Sequence, residues 1–132
     1  MLRLISLLVI LGFAAPAAAQ EQSIEDVITS QLQAFNDRDV EAAWQYASPM
    51  IKGIFGTPDN FGMMVRNGYP MVWDNEVARF LEAEEMPNGV RQEVLIRGAD
   101  GVAYILDYSM IQTEAGWQIN GVQVIPAPDM MS

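Results

Sequence analysis

A chain of 132 residues with neither cysteine nor histidine excludes disulfides, thiolate chemistry, serine-histidine and cysteine-histidine catalysis, and the usual zinc sites. Its 17 acidic against 7 basic residues give a formal charge of −10. The basic residues are scattered rather than clustered, which argues against nucleic acid and anionic lipid as partners, so the acidity reads as a source of solubility.

Arg3, the apolar run 4–15, Pro16 and the small residues Ala17, Ala18 and Ala19 form the three regions of a secretory signal peptide, with cleavage expected after Ala19. The apolar run is shorter than the roughly 20 residues of a spanning helix, so a cleaved signal is preferred over an uncleaved anchor. A periplasmic or secreted location follows, with no stable membrane insertion after cleavage. The mature chain would be residues 20–132, which is 132 less 19, or 113 residues, in a single domain. Without Arg3 it carries 6 basic against 17 acidic side chains, or −11. About two thirds of the unfolded surface is buried at that size, so the core needs neither a disulfide nor a structural metal, and no cofactor is implied.

Ser23 followed by Glu25 and Asp26 predicts a helix start, and Ile24, Val27, Ile28, Leu32 and Phe35 continue it with helical spacing to about Asn36. Asp39 is placed to cap a second helix carrying Val40, Ala43, Trp44 and Ala47, which Ser48-Pro49 ends or redirects. Thr57-Pro58-Asp59 starts a third helix over residues 58–67, with Phe61, Met64 and Val65 on its apolar face and Asn67-Gly68 as its stop.

After Tyr69-Pro70 the period changes. Residues 77–86, 90–97, 102–111 and 117–125 read as four strands, separated by Pro87-Asn88-Gly89, Ala99-Asp100-Gly101 and Glu114-Ala115-Gly116 as hairpin turns. Val90, Val94 and Ile96 face one way, as do Val102, Tyr104, Leu106, Tyr108 and Met110. Short helices followed by a four-stranded antiparallel meander give an α+β fold with the helices on one face of the sheet, and Gly121 marks a bulge or bend in the last strand.

Aromatic, methionine, glycine and proline residues concentrate in the stretch 44–69. A bent sheet wrapped over the helices encloses an interior lined by Trp44, Phe61, Met64, Tyr69, Tyr104, Tyr108 and Trp117, which is either solid core or a hollow apolar pocket. Trp44 and Trp117 are expected to be largely buried in one core.

Asp107 is the one acid embedded in a strongly apolar strand. An isomerase-like site would need a buried carboxylate as base and a tyrosine as oxyanion donor, but strand alternation turns Asp107 away from Leu106 and Tyr108, onto an exposed edge or a convex face. Glu82, Glu84 and Glu85 lack the dense ligand loop of a calcium site. The pairs Met63-Met64 and Met130-Met131 suggest soft copper ions in principle, but Met64 reads better as a flexible filler of core or pocket.

Ala47-Ser48-Pro49, Phe55-Gly56, Phe61, Met64-Val65, Gly68-Tyr69-Pro70 and the closing run Gly116-Trp117-Gln118-Ile119-Asn120-Gly121-Val122 resemble the bacterial family catalogued as domain of unknown function 4864. That family looks like a member of the nuclear-transport-factor-two-like superfamily, the cone fold shared with ketosteroid isomerases, polyketide cyclases and many catalytically silent binding domains. The resemblance covers roughly residues 24–124 and implies a cone fold, with no catalytic residue carried over. The reading preferred on these residues is a non-enzymatic domain that binds an apolar small molecule or a partner segment. An isomerase- or cyclase-like enzyme, and an envelope interaction module that forms a homodimer or docks through its sheet, are the alternatives.

Overall fold

A computed structural model describes residues 22–126, so the signal-like start and the Met130-Met131 pair lie outside the described residues. Helix α1, Ile24–Asn36, begins where the Ser23 side chain accepts from the Asp26 amide at 3.0 Å, with Glu25 and Asp26 in the first turn complementing the dipole. Its stripe of Val27, Ile28, Leu32 and Phe35 is buried. Arg38 then takes a left-handed backbone conformation (φ 60°), and its guanidinium donates to the carbonyls of Phe35 and Trp73 and pairs with Asp74. The guanidinium carbon also lies 4.6 Å from the centre of the Trp73 ring, a cation-π contact that closes this end of the molecule.

Three further helices follow the same start rule. The side chain of Asp39 accepts from Ala42 at the head of α2, Val40–Gln45; Ser48 accepts from Ile51 at the head of α3, Pro49–Phe55; and Thr57 accepts from Asn60 at the head of α4, Pro58–Gly68. A fifth, α5, Pro70–Trp73, has no side-chain cap. Helices α3 and α5 were not foreseen. Proline at the first helical position forces the preceding residue to be extended, so Ser48-Pro49 ends one helix and begins the next.

Four antiparallel strands, β1 (Asn75–Met86), β2 (Gly89–Gly98), β3 (Ala103–Thr113) and β4 (Gly116–Pro126), pair in the order β1-β2-β3-β4. This is the α+β meander with helices first. Val94, Ile96, Leu106, Tyr108, Met110 and Ile119 are buried on the helix-facing side and meet Val27, Ile28, Leu32, Phe35, Phe61 and Val65 in one core. In β4 the register slips: Ser109 pairs with Gly121 and Met110 with Ile119, so Asn120 is the extra residue of a bulge next to Gly121.

That bulge is also where the helical half is fastened. Ile119 donates its amide to the Tyr46 carbonyl at 2.8 Å, the Ser48 amide donates to Ile119 at 2.9 Å, and the fully buried Ser48 hydroxyl donates to Asn120 Oδ1 at 2.7 Å. Trp44 and Trp117 are half-buried against the core rather than inside it. Trp44 is the penultimate residue of the short α2, with its ring under Lys52, and Trp117 is the second residue of β4, at the edge of the core beside Val27 and Tyr46.

Candidate functional site

A cavity of about 280 Å³ opens between the helical layer and the sheet. Helix α3 supplies Ile51, Ile54 and Phe55 at helical spacing, and α4 supplies Phe61, Met64 and Val65. The floor is Tyr108 of β3 with Ile119 and Val122 of β4, and Gln31 and Phe35 of α1 close the back. Phe61 is held by ring contacts to Phe35, Phe55 and Trp44, with centroids 5.6 to 6.0 Å apart, so the α4 wall is braced from both sides. Ile54 is 64% exposed and marks the mouth, flanked by the exposed Met50 and Met63 on the same two helices.

Of the residues singled out in the sequence, Phe61, Met64, Tyr69 and Tyr108 line this cavity together. Trp44 stands behind Phe61 rather than in the wall. Tyr104 lies on the same sheet face as Tyr108 but lines a separate hollow under Pro70 and Met71, and Trp117 lines a third, more polar hollow with Val27 and Tyr46. Sequence reasoning missed Ile51, Ile54 and Phe55 because α3 was not read, although their spacing of three and four residues is itself a helical signal.

Polar atoms in the lining are few. Gln31 donates from Nε2 to the Ala43 carbonyl at 3.1 Å, and the Tyr69 hydroxyl donates to the Val122 carbonyl at 3.1 Å. Tyr108 is almost fully buried, and burial followed by the neighbouring Tyr69 pushes its hydroxyl well above the ordinary tyrosine range. It therefore stays protonated at any physiological pH.

A sequence model of the family described as "Domain of unknown function (DUF4864)" matches residues 17–132. The chain belongs to this family. No curated protein and no solved structure matches it.

In this DUF4864 domain Asp107 is on the face of the sheet opposite the cavity, as alternation with Tyr108 requires, but it is 4% exposed rather than solvated. The expectation of an exposed charge fails because Arg91, diagonal to it on β2, folds its guanidinium over the carboxylate; Oδ2 takes the ion pair and Oδ1 is buried without a partner. The hydrogen bond to Asp107, and then its charge, raise Arg91 above its ordinary value. Glu82, Glu84 and Glu93 rim the same recess of about 50 Å³. Among the described residues no group of three or more carboxylates is arranged to hold a metal ion, and no helix is long and apolar enough to cross a membrane.

Proposed function

We propose that this DUF4864 domain is a non-enzymatic binding protein of the cell envelope or the medium, which takes an apolar small molecule into its cavity within the cone arrangement of the nuclear-transport-factor-two-like superfamily. Helices packed against one face of an antiparallel meander, with the hollow between the layers, support the superfamily assignment, and the signal-like residues 1–19 support the location. The observation that carries the binding function is the lining. Side chains from four helices and two strands surround the cavity, and among the described residues that line it there is no carboxylate, lysine or arginine. Concave, mainly apolar sites with a few polar groups are the usual form of small-molecule pockets, and about 280 Å³ is just below the roughly 300 to 1,000 Å³ that pockets for drug-sized ligands occupy, which suits a smaller molecule.

An isomerase- or cyclase-like enzyme needs a carboxylate beside a cavity tyrosine. Asp107 faces away from Tyr108 across the sheet, and the binding function is preferred on that account. The test is titration of the purified protein with N-phenyl-1-naphthylamine, a neutral apolar dye. Saturable fluorescence enhancement at one dye per chain is expected, together with a raised melting temperature. Val65→Phe, which fills the cavity from α4, should abolish the enhancement while the protein stays folded. Enhancement that never saturates, or that survives Val65→Phe unchanged, rejects the cavity as the binding site.

A further inference from the structure

The hollow beside Trp117 measures about 400 Å³ and shares no described lining residue with the apolar cavity. It lies where the end of α2 meets the turn between β3 and β4, and its chemistry is different. Trp117 and Tyr46 are half-buried against the core and also line the hollow, so each presents aromatic surface there. Gln22, Gln45 and Gln118 supply three amides, and among the described residues that line it there is no carboxylate, lysine or arginine. Gln118 is held in place. It is 6% exposed, donates from Nε2 to the Gln45 carbonyl at 3.1 Å, and accepts at Oε1 from the Thr113 hydroxyl at 2.9 Å. An amide nitrogen carries two protons and its oxygen two lone pairs, so this oriented group keeps one N–H and one acceptor position beyond those bonds.

We infer that this hollow is a second binding site, whose ligand is a neutral carbohydrate, a mono- or disaccharide laid against Trp117 and Tyr46 with its hydroxyls on the glutamine amides. The site is separate from the apolar cavity and does not depend on what that cavity binds. Each amide holds a donor and an acceptor side by side, and so does each pair of neighbouring sugar hydroxyls. A sugar ring also has a face of C–H groups with slight positive charge, which the electron-rich faces of indole and phenol attract. Charge is disfavoured by the lining: an ion would give up water and meet no counter-charge, and the formal charge of −10 on the chain further repels anions. A flat heterocycle would stack on the same rings, but the few polar atoms on its edge would leave amides unused, whereas a sugar carries hydroxyls around its whole ring. The volume of about 400 Å³ is within the roughly 300 to 1,000 Å³ of small-molecule sites.

The experiment is saturation-transfer NMR on the full chain with four neutral disaccharides, maltose, cellobiose, lactose and N,N′-diacetylchitobiose, and with adenosine, gluconate and glucosamine beside them. At least one disaccharide should give transfer that saturates in the millimolar range or below, strongest at the C–H protons of one ring face, and it should bind more tightly than the heterocycle and both charged sugars. Trp117→Ala should weaken it by at least about tenfold, and Gln45→Ala, at an exposed position, by about three- to tenfold, the size of one net hydrogen bond. Saturating sugar should leave the naphthylamine dye bound in the apolar cavity. No saturable transfer from any of the four, adenosine or a charged sugar as the tightest ligand, or affinity unchanged in Gln45→Ala would overturn the carbohydrate site, and Gln45→Ala decides the matter even if Trp117→Ala does not fold. Displacement of the dye by sugar would overturn the separation of the two sites, while failure of the dye alone to bind rejects only the apolar cavity.

Discussion

The hydroxyl of Tyr69 donates to the carbonyl oxygen of Val122 across 3.1 Å, joining the junction of α4 and α5 to β4 through the wall of the cavity. Tyr69 ends one helix and precedes the other. Its amide bonds to the Val65 carbonyl at the close of α4, and its own carbonyl accepts from Val72 and Trp73 in α5. Val122 pairs with Tyr108 in the sheet, so this bond ties the helical layer to the floor beside Tyr108.

Tyr69→Phe keeps the ring and removes only that bond. Stability should fall by about 1 kcal/mol, the net worth of one neutral hydrogen bond, read as a shift of the urea midpoint at constant slope. The dye should still bind, because the Tyr69 proton is not offered to the ligand. A fall above about 3 kcal/mol would mean that the bond holds the layers apart and that the cavity collapses without it.

The Arg91-Asp107 pair gives a second prediction. Arg91→Met leaves a carboxylate that is 4% exposed without its counter-charge and directly across from Glu93. Removing the partner of a buried carboxylate is destabilising because the charge is left uncompensated, and although the Arg91 side chain is 41% exposed and screened by solvent, the loss should exceed that of an ordinary surface substitution. The double variant Arg91→Met, Asp107→Leu should recover most of that loss, since two apolar side chains replace the pair without leaving a buried charge. Denaturant curves of parent, single and double variants test both parts, and a single variant no weaker than an ordinary surface substitution would contradict the burial of Asp107.

Alkaline unfolding should report Tyr108. Its hydroxyl is held above the ordinary 10.0 by burial first and Tyr69 second, so the native state keeps a proton that the unfolded chain gives up. The resulting stability is fully present below pH 10 and is lost as pH rises through that point, with a slope of about 1.4 kcal/mol per pH unit for one group. Tyr108→Phe should remove this component of the fall. Unfolding free energies measured between about pH 8 and 11 for parent and variant check it; identical slopes would place the Tyr108 hydroxyl in contact with water.

Much of this architecture was legible because it rests on local rules. Ser23, Asp39 and Thr57 cap their helices as side-chain chemistry dictates, and period-two alternation put Tyr108 and Asp107 on opposite faces. The errors arise where a local rule has two consequences or where distance along an element decides. Ser48-Pro49 reads from the sequence as ending or redirecting α2, but a residue kept extended before proline is also a proper cap, so α3 and its three cavity residues have no sequence-level counterpart. Tyr104 has the correct face, but it lies four residues from Tyr108 along β3, roughly 13 Å at strand rise, and so falls under α5 instead of α4. The burial of Asp107 depends on a diagonal partner in another strand, which no single-strand pattern contains.

Two glycines of the same chain should respond to alanine with opposite signs. Gly53 lies inside α3, and a methyl group there would meet nothing within 4 Å. Gly53→Ala should therefore stabilise by up to about 1 kcal/mol, through better helix propensity and a less flexible unfolded chain. Gly89 opens β2, where an added Cβ would stand 2.0 Å from the carbonyl oxygen of Met110. That neighbour is backbone of β3, in a ladder fixed on both sides, and cannot rotate away. The strands must separate locally, so Gly89→Ala should destabilise by about 2 kcal/mol or more, at or above the middle of the range for overpacked sites. Melting temperatures of the two variants against the parent check the pair: a neutral Gly89→Ala would show that the β2-β3 ladder yields at its end, and a destabilising Gly53→Ala would show that α3 needs the bare backbone at the cavity mouth.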